Sequence, residues 1–230
     1  MEAHPAASRP PGDGLAPDQA QGWPETSADA IRRIRSLLGP RVDLRADANM
    51  GWTVEQALGK MHAFERWGVR SYEQPIAAGD LEGMARLVTE TGLGVMADES
   101  FHTRESLDRL IECRAATAVN ARISKCGGLV ATLARCREAL AAGLTVQVGS
   151  QVGESSLLSA AQLRLCAAVE RVTYAEGCFG RLLLRADPAS PRLQFGRGGR
   201  PPEPLPGPGL GLRIDEEMLE RHASRRQVVG

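Results

Sequence analysis

One alternation constrains this chain more than anything else in it. From residue 28 to residue 176, short apolar or alternating runs are separated by longer runs with helical spacing, and the cycle returns about every 25 residues. The first helix is predicted over "ADAIRRIRSLL", after a cap region at Thr26 and Ser27, with Ile31, Ile34, Leu37 and Leu38 on one face and a stop at Gly39-Pro40. The strand "VDLRAD" follows, then the helix "TVEQALGKMHAFERW". Next come "VRSYE" and "DLEGMARLVTETG", "GVMAD" and "TRESLDRLIE", "AVNARI" and "LVATLARCREALAAG", "LTVQVG" and "SSLLSAAQLRLCAAVE", and finally "VTYAE". Strands that alternate with helices must pair in parallel, because each crossover helix returns the chain to the same end of the sheet. An open doubly wound sheet and a barrel both satisfy this. Uniform units, and the lack of a GxGxxG after the first strand, favour the barrel. The expected fold is α/β, with about six strands where a closed TIM-type barrel needs eight.

Composition narrows the function classes. The chain has 230 residues, 43% of them hydrophobic, which suffices for a sizeable core. Its formal net charge is +0 and its basic residues are scattered, so no nucleic-acid partner and no membrane surface is expected. No apolar run approaches the roughly 18 residues of a membrane span, and "MEAHPAASRPPGDG" lacks a secretory core, so a cytoplasmic protein is expected. Cysteines 113, 126, 136, 166 and 178 form no CxxC pair and read as buried, reduced thiols. Residues 1–25, rich in Pro, Ala and Gly, read as a disordered leader; 26–189 as the barrel domain; 190–230 as an extended tail with a short terminal helix.

Three carboxylates fall at equivalent places. Asp47, Glu73 and Asp98 each end a predicted strand, in "LRADANMGW", "SYEQP" and "VMADES". The C-terminal strand ends of a parallel barrel converge on one face, where active sites sit. Singly, each residue reads as a loop starter or helix cap. Together they would repel one another unless a cation held them, and all-oxygen donors suit Mg²⁺, or Mn²⁺.

The motifs "DANMGW", "EQP", "ADES" and "SKCGG", in that order, resemble the barrel domain of the enolase superfamily (the mandelate racemase and muconate-lactonising family). The closest match is its muconate-lactonising and dipeptide-epimerase branch. The resemblance covers about residues 26–180 and returns at "GPGLGLRID". It implies an incomplete (β/α)7β barrel lacking the N-terminal capping domain, with Asp47, Glu73 and Asp98 as magnesium ligands. It also implies a small carboxylate substrate whose α-proton is removed, the resulting enediolate being stabilised by the metal. Racemisation, epimerisation, elimination or cycloisomerisation can follow. An open barrel edge further suggests a homo-oligomer.

The chain departs from that family in instructive places. A Lys-x-Lys is expected just before the helix that begins near residue 27, yet no lysine precedes Lys60, and Lys60 and Lys125 are the only two. In "AVNARI", a period of two turns Val119, Ala121 and Ile123 toward the helices, and Asn120 and Arg122 toward the barrel interior. The family's acid/base lysine matches Arg122, and Lys125 matches a further basic residue at the strand exit. Arginine gives up a proton only above a pKa of about 12, so Arg122 is better suited to hold a carboxylate or developing charge, or to form a structural ion pair. Arg122 and Lys125 are the catalytic candidates; for Lys125 a loop contact is the alternative. Asn49, Gln151 and Glu154 are the substrate-binding candidates, although Glu154 equally reads as an N-cap partner of the next helix. No histidine lies between His102 and His222, which disfavours the mandelate-racemase branch, and "VTYAEGC" offers Tyr174 and Glu176 rather than the Asp-x-Asp of dipeptide epimerases. Two readings stand: a Mg²⁺-dependent isomerase or lyase, or a non-catalytic remnant that retains metal binding.

Overall fold

The computed structural model describes residues 26–177, 180–196 and 200–223, with the Arg181 side chain excepted. The expected leader at 1–25 and Cys178 lie outside the described residues.

Six parallel strands form one sheet in sequential order: β1 (Leu44–Asp47), β2 (Val69–Glu73), β3 (Gly94–Ala97), β4 (Ala118–Ala121), β5 (Thr145–Val148) and β6 (Tyr174–Ala175). Between them run α2 (Val54–Glu65), α3 (Leu81–Thr91), α4 (Arg104–Glu112), α5 (Leu129–Ala141) and α6 (Ser156–Ala168), with α1 (Ser27–Leu38) ahead of β1. Each strand therefore pairs with the strand one unit away, and the sheet curls into a half-barrel. The helix starts follow local chemistry. Thr26 caps α1 and Asp80 caps α3, while Thr53–Gln56 and Thr103–Ser106 form reciprocal capping boxes at α2 and α4.

Strand parity sorts the two faces. Val95, Ala97, Val119, Ala121, Val146 and Val148 are fully buried against the helices, in one core with Met61, Leu87, Leu107 and Leu110. Tyr72 points the same way, and its hydroxyl donates to the carbonyls of Met61 (3.2 Å) and Val69 (3.3 Å). Burial holds that phenol well above its ordinary pKa. The inner face is polar. The two edges approach through side chains: Tyr174 Oη donates to Asp43 Oδ2 at 2.6 Å, and the Arg45 guanidinium carbon lies 3.8 Å from the Tyr174 ring centroid.

Three expectations change. The apolar stripe of α1 is largely uncovered, with Leu37 85% and Leu38 51% exposed, because α1 lies at the end of the helical layer beside α2. The segment read as an extended tail folds back. Strands β7 (Ala189–Ser190) and β8 (Arg213–Ile214) pair antiparallel, and Leu193 is buried against Ala160 and Leu163 of α6. Its terminal helix is α8 (Glu216–His222); the short α7 (Gly180–Leu183) precedes β7. Cys126 and Cys136 are buried free thiols, whereas Cys113, at the C-terminus of α4, is exposed. Among the described residues no helix is long and apolar enough to cross a membrane.

Candidate active site

The ends of β1 and β2 lie in register, so Asp47 stands beside Glu73, and Asp98 follows the last residue of β3. The three carboxylates therefore occupy the rim formed by three neighbouring strands. Asp47 is exposed; its Oδ1 accepts from the Asn49 amide at 3.0 Å in a tight turn whose Asn49 and Met50 both have positive φ. Glu73 and Asp98 are buried.

Gln74, inside the "EQP" motif, sets the position of Asp98. Fully buried and held at φ 34°, it accepts on Oε1 from the amides of Asp98 and Ser100 at 3.0 Å each. Its Nε2 donates to Ser100 Oγ at 2.9 Å. Its own carbonyl accepts from Met50 N at 2.7 Å, so one residue links the β1, β2 and β3 loops.

From the other half of the arc come the donors. Asn120 Nδ2 donates to Glu73 Oε1 at 2.6 Å, and Gln147 Nε2 donates to Glu73 Oε2 at 3.2 Å and to Glu176 Oε1 at 3.0 Å. Arg45 donates to Gln147 Oε1. Arg122 Nη2 lies 2.6 Å from Asp98 Oδ2 and 3.5 Å from Glu73 Oε1. Lys125 reaches back from the turn after β4, where its Nζ meets Asp98 Oδ1 and donates to the carbonyls of Asp98 at 2.6 Å and Asn120 at 2.9 Å. The structure thus brings Glu73, Asp98, Arg122 and Lys125 into contact.

Gln151 and Glu154 belong to the β5–α6 loop at the mouth. Gln151 is exposed, and its amide donates to Glu154 Oε1 at 2.6 Å. Glu154 is not the cap of α6; Ser155 occupies that position, without a side-chain cap bond. A cavity of about 200 Å³ opens inside the arc beside Asp47 and Glu73, with Arg45, Ser71, Met96 and Glu176 also on its wall.

The electrostatics follow from crowding. Burial, then the neighbouring Asp47, Glu176 and Asp98, push the Glu73 carboxyl up, against the Asn120 hydrogen bond that lowers it. Burial likewise raises Glu176. Burial pulls the Lys125 ammonium down, with the Asp98 charge opposing that pull.

By donor type the site fits a hard divalent cation, with three carboxylates at the ends of adjacent strands. Four buried polar atoms around it lack a partner among the described residues, namely Asn120 Oδ1, Arg122 Nε, Ser150 Oγ and Glu99 Oε2, so a polar ligand has groups to meet. By arrangement, no three His, Cys, Asp or Glu groups among the described residues stand ready for a metal. The Arg122 guanidinium occupies the space between Glu73 and Asp98 instead.

A family model described as "Enolase C-terminal domain-like" matches residues 13–218. The N-succinyl-L-Arg/Lys racemase of Bacillus cereus is 30% identical over 205 residues, covering 86% of this chain and 53% of that protein. Its solved structure superposes with a TM-score of 0.78 at 28% identity, covering 88% of this chain and 54% of that one. Chloromuconate cycloisomerase of Cupriavidus pinatubonensis is 30% identical over 200 residues, 85% of this chain and 53% of that protein. A dipeptide epimerase from Cytophaga hutchinsonii, complexed with Mg and the dipeptide D-Ala-L-Val, superposes with a TM-score of 0.77 at 28% identity, over 84% of this chain and 52% of that one. The chain spans about half the length of the curated relatives it matches.

Proposed function

Because the chain belongs to the enolase C-terminal domain-like family, whose matched relatives are racemases, epimerases and cycloisomerases, we propose that its site serves an isomerase or lyase acting on a small carboxylate. The reaction begins by removal of the proton next to that carboxylate. The observation that carries this reading is the set of Asp47, Glu73 and Asp98 at the ends of three consecutive parallel strands, with cationic side chains on the facing wall. Asp47, Glu73 and Asp98 would hold Mg²⁺ through carboxylate oxygens, and Mg²⁺ would supply charge stabilisation to the substrate carboxylate as the proton leaves.

The chain's own groups have separate tasks. Gln74 fixes the backbone that carries Asp98. Asn120 and Gln147 orient the two oxygens of Glu73. Arg122 presents a permanent cation to the negative charge that develops on the substrate carboxylate, and its free Nε–H is a donor for it. Lys125 is the remaining titratable amine at the site, and its contact with Asp98 makes it a rim group for proton transfer or charge.

A second reading has its own support: by the family resemblance Arg122 matches the acid/base lysine, and both cations are already paired with Asp98. It describes a chain that binds Mg²⁺ but exchanges few protons. Deuterium incorporation from D₂O into a panel of N-acyl amino acids, dipeptides and muconate, with and without Mg²⁺, separates the two. Mg²⁺-dependent exchange abolished by Glu73→Gln supports the enzyme. Mg²⁺ binding without exchange in any substrate refutes it for the isolated chain.

A further inference from the structure

Arg122 and Lys125 both neutralise Asp98, but they are held differently. Lys125 Nζ is anchored by two backbone carbonyls, those of Asp98 at 2.6 Å and Asn120 at 2.9 Å, besides the Asp98 carboxylate. The strand ends therefore keep the ammonium in place whatever happens to the carboxylate. The ion pairs of the Arg122 guanidinium are to carboxylates, through Nη2 to Asp98 Oδ2 at 2.6 Å and Glu73 Oε1 at 3.5 Å, and its buried Nε has no partner. Of the two cations, Arg122 is the one free to leave.

We infer that Arg122 is a built-in competitor for the divalent cation: its guanidinium neutralises Glu73 and Asp98 in one state, and swings away in a second state that admits the metal. The inference rests on the Mg²⁺ reading of the site. Its second state has acceptors ready. The charge of Arg122 already favours the ionised forms of Glu154, on the β5–α6 loop, and of Glu176, after β6, against the burial that opposes them. Glu154 is buried and Glu176 half-buried, so a guanidinium moving toward the mouth exchanges Glu73 and Asp98 for a second pair of carboxylates. A guanidinium also carries five N–H donors in a rigid fork, so it can bridge two carboxylates as a single cation does.

The coupling has a simple arithmetic. A ligand that binds only the second state has its affinity reduced by the fraction of molecules in that state, so occupancy of about one in ten costs about tenfold. Mg²⁺ titrations by isothermal calorimetry, on wild type, Arg122→Met, Arg122→Lys and Glu154→Gln at pH 7.5, read this directly, with circular dichroism confirming each fold. Arg122→Met is expected to bind Mg²⁺ about tenfold more tightly or better than wild type. Arg122→Lys should fall between them, because a point charge bridges two carboxylates less well. Glu154→Gln keeps Arg122 but removes an acceptor of the second state, so it should bind more weakly than wild type. Equal affinities in wild type and Arg122→Met overturn the competition and leave the metal reading standing. An absence of Mg²⁺ binding in folded Arg122→Met and wild type alike overturns the metal reading and the competition with it. If Arg122→Met folds only with Mg²⁺ present, that dependence supports the competition, and an unchanged or tighter affinity in Glu154→Gln overturns it.

Discussion

Replacing Gln147 by leucine tests whether the inner face of the arc is held by its polar network or merely lined by it. Gln147 is fully buried, and its amide does three things at once: it donates to Glu73 Oε2 at 3.2 Å and to Glu176 Oε1 at 3.0 Å, and it accepts from Arg45. Leucine fills a similar volume, so the loss is polar. Hydrogen bonds to charged groups contribute about 1.5–3 kcal/mol each. Glu73 keeps Asn120 and Arg122, so its share of the loss is small. Glu176 and Arg45 lose more, and the sum is about 3 kcal/mol. For a domain of this size that lowers the melting temperature by about 6–12 °C. Thermal and urea unfolding followed by circular dichroism at neutral pH measure it, and a double-mutant cycle with Glu176→Gln should show coupling of about 1 kcal/mol. Gln147→Glu sharpens the test, because it sets a third carboxylate beside two that are already pushed up. Its deficit should shrink as pH falls into the carboxylate range, where the new group is protonated and can donate again. A Gln147→Leu protein that unfolds within about 1 kcal/mol of wild type, with no coupling to Glu176, would refute the reasoning.

Other outcomes follow from single contacts. In Gly149→Ala the new Cβ lands on Asn120 Oδ1, so Asn120 must shift off Glu73, and a loss of about 1–3 kcal/mol is expected in urea unfolding. Burial raises the folded-state pKa of Glu154, so the folded chain binds its proton more tightly than the unfolded chain. The contribution of Glu154 to stability is therefore greatest below the ordinary carboxylate pKa of about 4.3 and declines as pH rises toward the raised value. Subtracting the pH–stability curve of Glu154→Gln from that of wild type should isolate this falling segment, and a rising difference would contradict the burial argument. In native-state thiol labelling Cys113 should react first among the described cysteines. Cys126 and Cys136 should react only on unfolding, since both are buried and burial pushes the Cys136 thiol up to about 12.

The frame of the site was legible because parity is a property of sequence. Placing Asn120 and Arg122 on the inner face needed only a period of two, and the same count applied to β1, β5 and β6 would have placed Arg45, Gln147 and Glu176 there as well. Gln74 was not legible as a positioning residue. It lies in a quoted motif, but its role depends on a positive φ and on hydrogen bonds to residues 24 and 26 positions away. Lys125 sits in a turn rather than a strand, so no periodicity reveals that its long side chain returns to Asp98. The tail misled for a different reason. Its Gly and Pro content signals extended chain, while Leu193, Phe195, Leu205, Leu210 and Leu212, which pack around α6, follow neither helical nor strand spacing. The stripe on α1 predicted a helix correctly but carried no information about how much of it a neighbour would cover.

The contact between Tyr174 and Asp43 has a kinetic consequence. Every strand pairing in the sheet joins neighbours one βα unit apart, whereas this hydrogen bond joins residues 131 positions apart. Assembly can then spread unit by unit at low contact order, with this latch and the contacts of Arg45 to Gln147 and Tyr174 closing last because they must meet the loop-closure entropy of most of the arc. A chain built this way opens from its ends. Amide exchange should be slowest in β3 and β4, the central pair with at least two strands on either side, and should quicken toward β1 and β6 as the latch releases.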